Sequence, residues 1–272
     1  EHDATVARIA ALRPDFVLHL AAQAGVRWSL TNPRAYLKSN MDGFLAILEG
    51  CRAAPPRHLV YASSSSVYGG NTKLPFAVED RSDHPVSLSA ATKRADELIS
   101  ESYAHLYRLP QTGLRFFTVY GPWGRPDMAY WKFTRAILAG EPIELYDAAA
   151  MSRDFTYVDD VVTAILRLLP IPAAPDPAFD AARPDPARSS APFRLFNIGN
   201  HAPVALLDFL AVIEAACGRR AQVVHRPRQP GDAPTTFAAV DDLAALTGFA
   251  PSTPLAEGIG RFVGWYRQHF DA

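Results

Sequence analysis

The sequence predicts an α/β protein built around a parallel sheet. Apolar strand segments alternate with amphipathic helical segments over residues 4–117, and two of the strands end in runs of small or hydroxyl-bearing residues. Strands separated by helices in this way form right-handed βαβ units in a parallel sheet. Ligands of such sheets bind at the edge where the carboxyl ends of the strands meet. Candidate site residues are therefore expected at that edge.

Composition excludes several classes of partner. The chain has 272 residues, 49% apolar and 20% charged, which is ordinary for a globular protein of one large or two smaller domains. A formal net charge of −1 gives no electrostatic basis for binding nucleic acid or an anionic membrane. No apolar run approaches the roughly 20 residues of a membrane span. Two cysteines without paired spacing favour the cytoplasm, and the eight histidines show no metal-ligand pairing.

Helices are predicted where apolar residues recur at helical spacing, and strands where short apolar runs are bounded by turn residues. Prolines and glycines set most of the boundaries. The predicted elements, in chain order, are a helix over 4–12, a strand over 15–22, a helix over 33–52, a strand over 58–62, a helix over 88–107, a strand over 111–117, a helix over 129–139, a strand over 143–146, a helix over 159–169, a strand over 193–198, and helices over 204–217 and 255–269.

Two strand ends carry candidate site residues. Small residues after the first strand, Ala21 and Ala22, let a ligand approach the backbone closely, although a core strand with a tight turn explains them equally well. The next strand ends in four consecutive serines, 63–66, and Lys93 lies in the first turns of the helix that follows. Hydroxyls at a strand end facing a helical lysine form an arrangement that can hold a sugar beside a nicotinamide.

The pattern becomes less regular beyond residue 128. Residues 170–192 contain seven prolines and little hydrophobic content. We expect this segment to be a solvated, mobile insertion without regular elements.

Several motifs, in order along the chain, carry a family resemblance. They cover nearly the whole sequence and are His19-Leu-Ala-Ala-Gln-Ala-Gly-Val-Arg27, Ser63-Ser-Ser-Ser-Val-Tyr-Gly69, Leu114-Arg-Phe-Phe-Thr-Val-Tyr-Gly-Pro-Trp-Gly-Arg-Pro-Asp-Met128, Arg153-Asp-Phe-Thr-Tyr157, Phe196-Asn-Ile-Gly-Asn200 and Gln229-Pro-Gly-Asp232. Through them the chain resembles the extended short-chain dehydrogenases/reductases of the NAD-dependent epimerase/dehydratase family, and most closely the UDP-glucuronate 4-epimerases.

This resemblance implies a fold and a domain organisation. It implies a Rossmann-like doubly wound parallel sheet, whose N-terminal βαβ units are missing here, and a smaller α+β substrate domain. The NAD-binding part is expected over 1–122. The nucleotide-sugar-binding part is expected over 123–272, with some segments returning to the first sheet. The family's members commonly dimerise through two helices, here 33–52 and 88–107, and a homodimer is expected.

The resemblance also implies roles for individual residues. Those for catalysis are Ser64, Ser89 and Lys93. Those for the cofactor are Leu20, Ala21, Ala22, Asn40, Ser63 and Lys93. Those for the UDP-sugar are Ser65, Ser66, Thr118, Arg125, Arg153 and Asp232, and Arg125 is expected to clamp the uronate carboxylate because a planar guanidinium fits it bidentately.

Two features depart from the family pattern. The glycine-rich G-x-x-G-x-x-G turn, which seats the pyrophosphate, does not occur in this sequence, and the missing N-terminus could also carry an anchor or signal. Ser89 stands where the family has the tyrosine of Tyr-x-x-x-Lys.

The predicted function is therefore the interconversion of UDP-glucuronate and UDP-galacturonate through a 4-keto intermediate, with Ser89 placing turnover in question. The alternatives are a non-catalytic UDP-sugar-binding or dimerising subunit, and another nucleotide-sugar epimerase.

Overall fold

The computed structural model describes residues 2–146, 151–227 and 235–271. The strands are β1 Phe16–His19, β2 His58–Ser64, β3 Gln111–Phe116, β4 Thr118–Tyr120, β5 Pro142–Tyr146, β6 Ser152–Tyr157, β7 Phe193–Ile198, β8 Pro203–Ala205 and β9 Gln222–Arg226. The α-helices are α1 His2–Leu12, α2 Val26–Thr31, α3 Pro33–Tyr36, α4 Gly43–Ala53, α5 Leu88–Tyr107, α6 Ala129–Ala139, α7 Val158–Leu168, α8 Leu206–Cys217, α9 Asp241–Thr247 and α10 Leu255–Phe270. No helix in these ranges has the length and apolar character needed to cross a membrane.

The main sheet is parallel and has the strand order β1-β2-β3-β7. Both of its faces are covered, because successive residues of a strand point to opposite sides. On β2, Leu59 and Tyr61 pack with Phe44 of α4, whereas Val60 packs with Ile165 of α7 on the other face. The predicted α/β class with a doubly covered parallel sheet is confirmed.

The C-terminal part of the chain adds two small sheets. One has the order β4-β6-β8, with β4 and β6 parallel and β8 antiparallel, and the other pairs β5 with β9. An aromatic core joins these strands to α8 and α10, and the rings of Phe155 and Phe209 stack with centroids 4.0 Å apart. Tyr120 meets Phe155 edge-on in the same core. β7 also comes from this part of the chain, and it completes the main sheet.

Agreement with the sequence prediction varies along the chain. Helix α5 has the predicted bounds. The predicted helix over 33–52 is interrupted, because residues Leu37–Asp42 form a π-helical turn between α3 and α4. The stretch over 23–28, predicted as a loop, contains the start of α2. Strands β4, β6, β8 and β9 and helix α9 were not predicted, because partners distant in sequence stabilise such short segments.

The proline-rich segment 170–192 contains no α-helix or strand, and it is anchored to the main body. Ala173, Ala187 and Ala191 are buried, and the last two pack with Phe193 and Leu195 of β7. The backbone N–H of Asp176 donates to the carbonyl of Ser189 at 2.9 Å, which closes the segment on itself.

Candidate active site

The serine run changes direction at the end of β2. Ser63 and Ser64 are its last residues, and Ser65–Tyr68 form a 3₁₀ turn. The Ser64 hydroxyl caps this turn by accepting from the backbone N–H of Ser66 at 3.2 Å. Gly69 follows with φ of 52°, and a Cβ there would lie 2.0 Å from the carbonyl oxygen of His84, so the turn requires glycine.

Side-chain alternation sends neighbouring serines to different environments. The Ser63 hydroxyl is buried and donates to Glu97 Oε1 at 2.6 Å. Ser65 and Ser66 are half-buried and line an open cleft. The structure therefore places the hydroxyl of Ser63, predicted to contact the cofactor, in the interior, whereas its neighbours reach the cleft.

Helix α5 brings a lysine to the same edge. Ser87 caps the helix by accepting from the backbone N–H of Ala90 at 3.1 Å. Ser89 is the second residue of the helix and is partly exposed, and its carbonyl oxygen accepts from Thr92 Oγ1 at 3.0 Å. Lys93 lies one turn further along and is 7% exposed. Positions four apart share a helix face, so Ser89 and Lys93 point the same way.

Lys93 has a buried acidic neighbour. Its Nζ donates to Asp96 Oδ2 at 3.2 Å. Burial raises the pKa of Asp96 to about 7, although the lysine charge opposes this effect. His19 lies at the end of β1, and burial together with the nearby Lys93 charge lowers its pKa to about 4. His19 is therefore neutral at physiological pH, with its ring stacked on Phe44.

Asn40 ties the loop after β1 to α5. It lies in the π-helical turn and is 1% exposed. Its Oδ1 accepts from the backbone N–H of Gln23 at 2.8 Å, and its Nδ2 donates to the Gln23 carbonyl and to Thr92 Oγ1. Because Gln23 directly follows Leu20, Ala21 and Ala22, these bonds hold the predicted cofactor wall against the helix of Lys93.

Four residues predicted to bind the sugar nucleotide share one cleft. This cleft is open to solvent and has a volume of about 180 Å³, and Ser65, Ser66, Thr118 and Arg153 line it. Its other lining residues are Val26, Tyr68, Gly69, Phe76, Val86, Ser87 and Thr236. Residues far apart in sequence, from the turn after β2, from β4 and β6, and from the N-cap of α5, therefore meet at one site.

Arg125 lies outside the lining of this cleft. Its side chain is 44% exposed, and its Nε is 3.3 Å from Asp127 Oδ1. Its guanidinium also contacts the sulfur of Met128 at 3.3 Å. Asp232, the remaining predicted ligand, falls outside the described residues.

Sequence reasoning missed a buried polar network behind the serines. Glu97 and Arg115 form a two-bond ion pair, with Nε to Oε1 at 2.9 Å and Nη2 to Oε2 at 3.0 Å. The Arg115 guanidinium lies 4.8 Å from the ring centre of Tyr68, whose hydroxyl donates to Asn197 Oδ1 at 2.6 Å. An arginine in the middle of the apolar strand Gly-Leu-Arg-Phe-Phe is the signal that could have found it, since a fully buried arginine requires a partner.

The sequence also did not predict that the Asp154 side chain holds the backbone of two loops. Its buried carboxylate accepts from the backbone N–H groups of Asn200, His201 and Ala238 at 2.7 to 3.1 Å. Burial raises the pKa of Asp154, whereas these hydrogen bonds act in the opposite direction. The residue joins two loops beside Arg153. Among the described residues, no group of three acidic, histidine or cysteine side chains is placed to hold a metal ion.

The fold and the site together define a class, a nucleotide-binding α/β protein with a hydroxyl–lysine edge. The family model for the NAD dependent epimerase/dehydratase family matches residues 1–180, and the chain belongs to this family of enzymes. A probable UDP-glucuronate 4-epimerase from Rhizobium meliloti is 51% identical over 263 residues, covering 94% of this chain and 76% of the relative.

Solved structures show the same likeness. The UDP-glucuronic acid 4-epimerase of Bacillus cereus, in complex with UDP-glucuronic acid and NAD, superposes with a TM-score of 0.83 at 25% identity. That match covers 96% of this chain and 79% of the other. MoeE5 in complex with UDP-glucuronic acid and NAD also has a TM-score of 0.83, at 33% identity, covering 96% of this chain and 83% of the other.

Proposed function

We propose that this chain serves the interconversion of UDP-glucuronate and UDP-galacturonate by 4-epimerisation with NAD. The observation that carries the proposal is the cleft, in which Ser65, Ser66, Thr118 and Arg153 meet beside Ser64 and the helix of Lys93. The 51% identity to a probable UDP-glucuronate 4-epimerase supports it, as does the fold shared with a 4-epimerase bound to UDP-glucuronic acid and NAD.

The residues present fit the nicotinamide end of NAD. Lys93 carries three N–H donors, and Asp96 accepts from one of them, which leaves donors for ribose hydroxyls. The predicted cofactor wall is Leu20, Ala21 and Ala22 in the loop after β1, where the two alanines allow close approach to the backbone. When bound, NAD supplies reversible hydride acceptance at the sugar C4, which takes that carbon through a ketone and returns it with either configuration.

Each chain residue has a distinct role in this proposal. Ser64 hydrogen-bonds the C4 oxygen, and Ser65 and Ser66 contact the glucuronyl group. Lys93 orients the nicotinamide ribose. Arg153 binds the diphosphate region from the other side of the cleft.

Ser89 limits the rate in this proposal. A tyrosine has a pKa of about 10, and a neighbouring lysine lowers it toward neutrality, so a phenol can take and return the C4 hydroxyl proton. A serine hydroxyl is far less acidic, and its side chain is too short to reach the same position. Loss of a positioned acid/base typically removes about 10²–10⁴ of rate.

Two other functions have specific observations in their favour. Ser89, in place of the tyrosine of the family pattern, favours a non-catalytic subunit that binds a UDP-sugar or dimerises. Arg125, the residue expected to hold a uronate carboxylate, lies outside the cleft lining and pairs with Asp127, which favours an epimerase for a neutral nucleotide sugar.

A homodimer through the predicted helices 33–52 and 88–107 belongs to the same proposal. Leu37 and Leu98 on these helices are 50% and 51% exposed, which leaves apolar surface for a second copy. Leu98→Asp is expected to convert the dimer to a monomer in light scattering after gel filtration, and an unchanged mass would contradict this interface. The two cysteines, both buried and unpaired, fit a cytoplasmic location.

The test of the catalytic proposal compares three versions of the full-length protein. The native protein, Ser89→Tyr and Ser89→Phe are incubated with UDP-glucuronate and NAD⁺, and UDP-galacturonate is measured by chromatography. We expect Ser89→Tyr to exceed the native rate by about 10²–10⁴. Ser89→Phe is the matched control, because it adds the ring without the hydroxyl.

The outcomes separate the alternatives. Equal rates for Ser89→Tyr and Ser89→Phe contradict the proton-transfer role of this position. If all three proteins bind UDP-glucuronate and none turns it over, the binding-subunit function is favoured. In a parallel incubation with UDP-glucose, turnover of that sugar without turnover of UDP-glucuronate favours the neutral-sugar epimerase.

A further inference from the structure

A buried charged network lies directly behind the serine run. Glu97 of α5 and Arg115 of β3 are 1% and 0% exposed, and they are joined by two hydrogen bonds. Arg94 adds a second cation to Glu97 Oε2 at 2.9 Å. Although burial disfavours the carboxylate, the Arg115 charge and its hydrogen bonds hold the pKa of Glu97 below its ordinary value. The pair is therefore ionised.

This network contacts the serine run at both of its ends. At one end, Glu97 Oε1 accepts from the hydroxyl of Ser63 at 2.6 Å. At the other end, the Arg115 guanidinium packs against the ring of Tyr68, which is fully buried and lines the cleft floor. Asn197 holds the Tyr68 hydroxyl and donates to the carbonyl of Phe76 at 2.8 Å. Phe76 stacks on the same ring with centroids 4.7 Å apart.

The residues between the two anchors are those of the proposed chemistry. Ser64, Ser65 and Ser66 are half-buried, and within the part of the chain that the structure describes their one side-chain hydrogen bond is the cap that Ser64 forms with the Ser66 N–H. Their placement therefore depends on where Ser63 and Tyr68 are held. Catalytic groups must be fixed to within a fraction of an ångström, and a shift of about 1 Å can cost about 10²-fold in rate.

We propose that Glu97 and Arg115 are positioning residues, which fix Ser63 and Tyr68 and thereby set the geometry of Ser64, Ser65 and Ser66. This inference rests on the proposed function for its catalytic consequence, but its structural claim does not. A buried ion pair is a weak source of stability, because desolvation offsets its attraction. Here the ion pair fixes orientation, because two parallel hydrogen bonds hold the guanidinium and the carboxylate in one relative orientation.

The test removes one anchor without removing a charge. Ser63→Ala deletes the hydroxyl that Glu97 holds, and Tyr68→Phe deletes the hydroxyl that Asn197 holds. The matched control is Ser100→Ala, because Ser100 is also buried on α5 and donates to a side chain, Gln111 Oε1, at 2.8 Å. Its partner lies at the amino end of β3, away from the serine run.

The first readout is amide hydrogen exchange, which requires no activity. We expect Ser63→Ala and Tyr68→Phe in the full-length protein to speed exchange at residues 64–67 by about tenfold or more, with Ser100→Ala unchanged there. Unchanged exchange at 64–67 in both variants, or equal acceleration in the Ser100→Ala control, overturns the proposal.

The second readout is the split between kcat and KM in the Ser89→Tyr background. Positioning predicts that Ser63→Ala lowers kcat about tenfold or more while KM for UDP-glucuronate stays within about twofold. An unchanged kcat beside faster exchange overturns the catalytic consequence. If exchange responds as expected and the Ser89→Tyr parent has no turnover, the positioning claim stands and the proposed function fails.

Discussion

The floor of the candidate cleft and the loop after β4 are held by different kinds of interaction. The floor is the run from Ser63 to Tyr68, and behind it lies an ion pair that is almost completely buried. The loop from Gly121 to Met128, which we call the rim, lies outside the cleft lining, and in it Arg125 and Asp127 form an ion pair with side chains 44% and 55% exposed. Trp123 of the rim is 76% exposed and has a φ of 62°, with its ring against Trp265 and His269.

The difference shows where geometry is specified in this protein. Exposed ion pairs contribute about 0–1 kcal/mol, since water and salt screen them. Breaking a buried pair leaves a charge without compensation, which costs about 3–5 kcal/mol. The floor, which carries the proposed catalytic hydroxyls, therefore has one favoured arrangement, whereas the rim carries less of the folding free energy.

The largest expected effect separates the two arginines. Arg115→Ala strands the buried Glu97 carboxylate and should lower the free energy of unfolding by about 3–5 kcal/mol. Arg125→Ala, the matched change on the rim, should lower it by less than about 1 kcal/mol. Urea unfolding followed by circular dichroism measures both. Similar losses for the two variants would contradict the contrast between floor and rim.

A smaller effect concerns how the free energy of unfolding depends on pH through Asp96, which lies on α5 beside Lys93. Burial raises the pKa of Asp96 to about 7, against the opposing charge of Lys93. The folded state therefore binds a proton that the unfolded state releases at lower pH, and stability falls as the pH rises from about 4 to 7. The slope is at most about 1.4 kcal/mol per pH unit for one group.

Asp96→Asn removes this titration. We expect the stability of the variant relative to the native protein to increase as the pH rises from 4 to 7, in urea unfolding at several pH values. A stability difference that does not change with pH would show that Asp96 has an ordinary pKa. Asp127→Asn on the rim is the control, because its carboxylate is 55% exposed.

Arg125→Ala, which should change stability least, also tests whether Arg125 binds the uronate carboxylate. If Arg125 binds the uronate, its loss removes a charged hydrogen bond of about 1.5–3 kcal/mol. Calorimetry should then show a Kd for UDP-glucuronate raised at least tenfold, with the Kd for UDP-glucose unchanged. Equal effects on the two sugars would exclude the clamp.

Sequence reasoning succeeded where structure is local or carried by a motif. Helix α5 was predicted to the residue, because its capping serine and its apolar spacing are both encoded within 20 positions. Ser65, Ser66, Thr118 and Arg153 were assigned to one ligand through the family resemblance, and the structure brings them into one cleft. Their individual roles stay predictions.

It did not reveal the contacts of residues whose partners are distant in sequence. Ser63 was grouped with its neighbours, although strand alternation turns its hydroxyl to Glu97, 34 positions away. The π-helical turn that contains Asn40 has no local sequence signal. Asn40 forms hydrogen bonds there with Gln23 in the loop after β1 and with Thr92 of α5. Arg125, predicted to bind the uronate, has Asp127 as a charged partner in this structure, and its role stays a prediction.

The sequence by itself determined the α/β class, the long elements, the family and the position of the Ser89 departure, since each is written in periodicity or in contiguous motifs. Only the tertiary structure decided that Glu97 and Arg115 pair, which serines face the cleft and which predicted ligands share it. The physical reason is that a buried charge takes whichever partner the packing places within about 3 Å, and no local pattern encodes that distance.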